Sequence, residues 1–198
     1  DNASLLLTGG SVALNSGAAI SGGELQLFDS SLTLGGNVGM TNDSTLGLRN
    51  TTINPGSYTI GMTGGTLGLG GTYSDFGAVQ TDNATSLELN ANTSITRSAQ
   101  LEIGGLDLNA FALTLGSATT DLTIHSTLTV DNSDSQLITN AADLILPYPL
   151  QLSAGVIRST GGTFTLTQGG TINNATLDVS GTTLKLSDNL SAGSGTLT

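Results

Sequence analysis

Residues 101–115 read Leu-Glu-Ile-Gly-Gly-Leu-Asp-Leu-Asn-Ala-Phe-Ala-Leu-Thr-Leu, and this stretch decides the fold. Three times, an apolar residue, a residue of any kind and a second apolar residue are followed by small or polar turn residues. Alternation over three residues marks a very short strand with two side chains inward and one outward.

The same unit starts at Leu5, Val12, Leu25, Leu32, Leu46, Leu67, Leu87, Leu122, Leu128, Leu144, Leu150, Phe164, Leu177 and Leu184. A longer period lies over it. Leu25, Leu46, Leu67, Leu87, Leu106, Leu128 and Leu150 are separated by 21, 21, 20, 19, 22 and 22 residues, and the steps on to Leu177 and Leu197 are 27 and 20. One coil is then about 21 residues, with three short strands and three turns. The 27-residue step predicts a loop or bulge around residues 159–170. Leu25, Leu46, Leu67, Leu87, Leu106, Leu128, Leu150 and Leu177 are expected to stack as the inward core ladder. Each such side chain contributes roughly 1.5–3 kcal/mol by leaving water.

Helices are disfavoured. Gly and β-branched residues interrupt the chain throughout, and no apolar stripe of helical spacing is sustained over several turns. A hairpin-built sandwich would want longer strands and Asn-Gly or Asp-Gly turns, and neither dipeptide occurs. Strands this short suffice when each stacks on the coil below. The reading is an all-β, right-handed parallel β-solenoid. Residues 1–198 form a single domain of about nine coils. At a rung spacing of about 4.8 Å that makes a rod on the order of 45 Å long. The repeat runs into both ends, so the domain is expected to be a segment of a longer protein or a stacking protomer.

Corners are set by Gly and Pro. Gly104 and Gly105 lie between two units only five residues apart and are expected to form the sharpest one. Pro147 and Pro149, flanking Tyr148, predict a rigid extended corner.

Composition narrows the function. Charged residues are 10% of the chain and the formal net charge is -11, with Arg49, Arg97, Arg158 and Lys185 the basic residues. A basic face for nucleic acid or anionic membranes is therefore excluded. No apolar run approaches the roughly 18 residues that cross a bilayer, so no direct membrane insertion is expected. Without Cys there is neither a disulfide nor a thiolate metal site.

Residues 105–116, with Leu106-Asp107-Leu108-Asn109-Ala110-Phe111 followed by Leu113-Thr114-Leu115, resemble a repeat unit of bacterial autotransporter passenger domains and related large β-helical surface adhesins. Gly70-Gly71-Thr72-Tyr73-Ser74 is similar to a corner of those repeats. The chain departs from them with Ala110 where Gly is usual and Gly70 where Asn is usual. The resemblance implies secretion to the cell surface or beyond it, and a β-helical stalk displaying adhesive surfaces to a host surface or glycan.

No catalytic constellation emerges, and no cofactor is expected. His125 lies just outside the strand at residues 122–124, beside Ser126; neighbours in extended chain point to opposite faces, so the two cannot by themselves pair as base and nucleophile. His125 reads as an exposed rung residue. Asp131, Asp134 and Asp143 are the best acidic cluster, and paired carboxylates of that kind serve glycoside hydrolysis. A carbohydrate-active β-helix enzyme is therefore the alternative function. Asp131 and Asp134 are also weak Ca²⁺ candidates, with Asp29 and Asp75 in further turns, but the EF-hand and Gly-Gly-x-Gly-x-Asp patterns are absent. Asp131-Asn132-Ser133-Asp134 reads first as a turn.

Ice binding, a lesser alternative, needs Thr in register across coils. Instead the outward column reads Gln26, Gly47, Gly68, Glu88, Asp107, Thr129 and Gln151. Asn2, Asn42, Asn50, Asn83, Asn92, Asn174 and Asn189 fit the glycosylation pattern, one that chance supplies in a chain so rich in Asn, Ser and Thr. Tyr58, Tyr73 and Phe76 read as core or corner packing before binding aromatics. The expectation is a non-enzymatic extracellular structural or adhesive module. It self-associates end to end into a filament or sheath, or continues into further coils of the same polypeptide.

Overall fold

The computed structural model describes residues 3–74, 76–96, 99–116 and 120–198. All regular structure among them is strand, stacked in parallel sheets as a β-solenoid of about nine turns. A 12-stranded sheet runs from Ser4–Leu14 to Thr196–Leu197. In the N-terminal coils Ala18–Ser21, Val38–Thr41, Ile60–Thr63 and Val79–Gln80 form a second sheet. In the C-terminal coils a five-stranded sheet runs from Ala99–Ile103 to Thr183–Leu186, and a four-stranded sheet from Leu128–Val130 to Leu190–Ala192. Parallel neighbours require a long crossover. Here the crossover is a whole coil, so partners lie from 19 residues apart (Leu87 on Leu106) to 24 (Leu113 on Leu137).

The inward side chains make one continuous core from Leu25 to Leu177. Its first ladder is the expected one: Leu25, Leu46, Leu67, Leu87 and Leu106 are successive partners. Leu106 is only partly buried, and beyond it the ladder changes. Leu128 opens a separate sheet and pairs with Leu150. Above Leu150 stands Gly170, not Leu177. Leu177 belongs to another column, Leu113, Leu137, Ile157, Leu177 and Leu197, in the 12-stranded sheet. The 27-residue step is therefore a jump between faces, and residues 159–170 hold the strand Thr163–Leu166 in place of a loop. The true rung was invisible because its residue has no side chain. A Cβ at Gly170 would meet the Leu150 carbonyl oxygen at 2.4 Å, so only Gly fits there.

Strand length also departs from three residues. Ser4–Leu14, Glu24–Leu34 and Thr85–Ile95 are each 11 residues long. In Glu24–Leu34 the buried positions change phase, from Leu25 and Leu27 to Ser30, Leu32 and Leu34. The change falls at Asp29, whose φ of 51° is tolerated by an Asx side chain. Asn50 of the next coil donates to Asp29 Oδ1 at 2.9 Å, which ties this corner to its neighbour.

Gly104 and Gly105 mark a bend, but neither has positive φ. Gly104 is required by close approach instead: a Cβ there would meet the Asn83 carbonyl oxygen at 2.7 Å. At Gly105 the nearest atoms are the Ser126 and Ser86 hydroxyls, both at 3.9 Å. Pro147 and Pro149 link Leu144–Leu146 to Leu150–Leu152 and carry Tyr148 outward. Tyr73 and Phe76 pack edge to face in the core, with ring centroids 5.2 Å apart. His125 is not an exposed rung residue: it is half-buried, and its Nε2 is sealed without a hydrogen-bond partner.

Candidate functional site

The seam between the two side sheets forms a cleft. Val79–Gln80 ends one sheet and Ala99–Ile103 begins the other, and no ladder among the described residues joins them. The resulting space, about 570 Å³, is lined by Gly77, Val79, Gln80, Thr81, Gln100, Glu102 and Asp121. That volume falls within the usual range of ligand sites.

Period-two alternation aims Gln100 and Glu102 outward while Leu101 and Ile103 enter the core. Asp121, one rung above Gln100, accepts a hydrogen bond from the Asp143 amide at 3.4 Å. Thr81 Oγ1 is buried and lacks a partner. The cleft thus offers two carboxylates and two primary amides. Such a set suits hydroxyl-rich ligands, and two carboxylates are the minimum for acid–base hydrolysis of a glycosidic bond.

The expected acidic cluster does not assemble. Asp143 sits at another corner and accepts the Thr163 amide at 2.6 Å. Asp131 lines a small cavity of about 160 Å³ with Asp107 and Asn109. Asp134 lies in an Asx turn, its amide donating to Asn132 Oδ1 at 2.9 Å. Among the described residues no three His, Cys, Asp or Glu side chains converge to hold a metal ion, so Asp131 and Asp134 are not part of such a group. Asp29 engages Asn50, and Asp75 and Asn2 lie outside the described residues. The outward Thr residues fall in mixed columns, such as Thr123, Ile145, Thr165 and Lys185.

Carboxylates elsewhere tie coils together. Asp82 Oδ1 accepts from the Gly64 amide at 3.0 Å, the Ala84 amide at 3.1 Å and the Thr85 hydroxyl at 2.8 Å. Burial alone would raise this carboxyl, but those bonds outweigh it and hold it below the usual Asp range. Asp178 is held low by the Ser180 hydroxyl and amide, with Arg158 Nε 3.1 Å away. Burial pushes the Tyr73 phenol well up, and its hydroxyl donates to the Leu48 carbonyl at 2.7 Å.

The alternation in residues 101–115 puts Glu102 outward, but nothing local marks Gln100, Thr81 or Asp121, because the missing ladder that opens the cleft has no local signature. Phe28 and Arg49 were legible in principle. They stand one 21-residue period apart, and the Arg49 guanidinium lies 4.7 Å from the Phe28 ring centroid. No protein-family model, curated protein or solved structure matches the chain.

Proposed function

We propose that the chain is a non-enzymatic structural and adhesive β-solenoid, displayed outside the cell in the manner of the autotransporter passengers and surface adhesins that residues 105–116 resemble. The observation that carries the reading is where the polar side chains go. Many of them tie each coil to the next. Asn42 donates to Ser21 at 2.7 Å, Asn54 to Ser31 at 2.9 Å, Thr160 to Asn140 at 3.0 Å and Ser194 to Asn174 at 2.8 Å. These pairs are 20 to 23 residues apart, one coil each. A rod stapled in this way resists bending and holds its outer faces in fixed register.

The end coils expose Leu5, Leu6, Leu186 and Leu197 beside open strand edges. Such edges accept another coil, of the same polypeptide or of a second copy. Electron microscopy and mass photometry of the purified chain test the assembly: stacked rods are expected, and a strictly monodisperse monomer at all concentrations removes the filament.

The cleft with Glu102 and Asp121 favours a second reading, a carbohydrate-active β-helix enzyme. Incubation with a polysaccharide panel decides between them. No release of reducing ends is expected. Release that is lost in Glu102→Gln and Asp121→Asn would overturn the non-enzymatic reading.

A further inference from the structure

A second recess lies on the outward face of the N-terminal coils, and the backbone gives no reason for it. Gln26, Gly47, Gly68 and Glu88 are successive rung partners in one outward column. The two glycines come from the repeated sequence Thr-Leu-Gly-Leu at residues 45–48 and 66–69. Both sit within strands, Thr45–Arg49 and Gly65–Tyr73, where Gly weakens pairing and where its presence often marks a close approach from outside. Neither has positive φ. A Cβ at Gly47 would meet the Gln26 side chain first, at 3.3 Å from its Cγ; one at Gly68 would meet Asn90 Nδ2 at 2.7 Å. Both neighbours are flexible amides leaning over the glycine floor.

The recess encloses about 360 Å³. Thr45 and Thr66 stand in register along one side, and Arg49, with Phe28 behind it, along the other. No carboxylate among the described residues forms a salt bridge with Arg49. Glu88 closes one end and Gln26 the other.

We infer that this glycine-floored recess binds a sugar ring of a neutral glycan. Gly47 and Gly68 are buried beneath the Gln26 and Asn90 side chains, so the ring would lie over them by displacing those two amides. Its hydroxyls both donate and accept, which matches a wall holding a pure donor (Arg49), a pure acceptor (Glu88) and amides and hydroxyls that do both. The Phe28 ring steadies the guanidinium in position. Glu88 in the wall and the net charge of -11 disfavour an anionic sugar. The inference rests on the adhesive reading and places its ligand site.

The test is an array of neutral and anionic oligosaccharides probed with the labelled chain, followed by amide-resolved NMR titration with the strongest binder. Binding of a neutral oligosaccharide is expected, with shifts at the amides of Gly47, Gly68 and Arg49. Gly68→Ser fills the floor and Arg49→Ala removes the donor; each is expected to weaken binding about tenfold or more, a loss of about 1.4 kcal/mol, with an unchanged melting temperature. Arg49→Lys keeps the charge but not the fork, and serves if either variant melts early. Binding restricted to anionic sugars overturns the inference, as do undiminished binding in the variants and shifts confined to Gln100 and Glu102. The last outcome moves the site to the cleft and leaves the adhesive reading standing. No binding to any glycan overturns the inference, and failure of chain-coated beads to adhere to any cell surface takes the adhesive reading with it.

Discussion

Thr139 Oγ1 donates to Ser159 Oγ, one rung above it, at 2.8 Å, and both residues are fully buried. Thr182 Oγ1 then donates to the Ser159 carbonyl at 2.6 Å. This polar column stands beside an apolar core because each hydroxyl has a partner from the neighbouring coil. Ser159→Ala leaves the Thr139 donor without its acceptor, at an expected cost of about 1–3 kcal/mol. The double variant Thr139→Val with Ser159→Ala removes both partners and should cost less than the single one. Urea midpoints compare them, and a double variant less stable than Ser159→Ala would contradict the column.

Ala110 has φ of 64° and follows Asn109 at 46°, in a turn closed by the Phe111 amide on the Leu108 carbonyl at 2.7 Å. Two positive φ values in succession define a type I′ turn, which favours Asn-Gly. A left-handed conformation costs an L-residue with a Cβ roughly 1–2 kcal/mol, and Gly returns about 0.5–1 of that in backbone entropy. Ala110→Gly should therefore stabilise the chain by about 0.5–1 kcal/mol, measurable as a rise in Tm.

The paired glycines at the bend separate by substitution. Gly104→Ala drives a methyl into the Asn83 carbonyl and should cost about 1–3 kcal/mol. Gly105→Ala has room and ordinary φ, so its effect should stay within about 0.5 kcal/mol. Equal losses on thermal denaturation would count against the close approach.

The first core ladder should be uneven. Leu67 is completely buried, so Leu67→Ala is expected to cost about 2–5 kcal/mol. Leu106 is partly exposed and lacks a ladder partner above it among the described residues, so Leu106→Ala should cost less than half as much. Chemical denaturation of the two variants checks the ratio.

Asp82 supplies an acid-sensitive clamp. Its folded carboxyl titrates below its ordinary value, so its contribution is present above the unfolded pKa of about 3.9 and disappears as pH falls through the folded value. Asp82→Asn retains an acceptor oxygen but does not titrate there. Its melting temperature should fall less steeply than that of the parent chain as pH drops below about 4. Parallel acid limbs would remove Asp82 from the account.

The sequence by itself determined the class of fold, because the signal is local. An apolar-x-apolar unit with Gly between units leaves a coil of about 21 residues as the simplest way to bury every Leu. The rung partners from Leu25 to Leu106 follow from that period. Which column each later Leu joins was decided only in three dimensions. Three faces share one period, so spacing alone cannot separate Leu177 from the column of Leu150, and Gly170 fills that rung without an apolar side chain. The candidate sites lie beyond the same limit. The acidic cleft exists because two sheets fail to join between Gln80 and Gln100, and the recess exists because two outward glycines fall on adjacent rungs. Each depends on register between coils, which long-range strand pairing sets and local pattern does not.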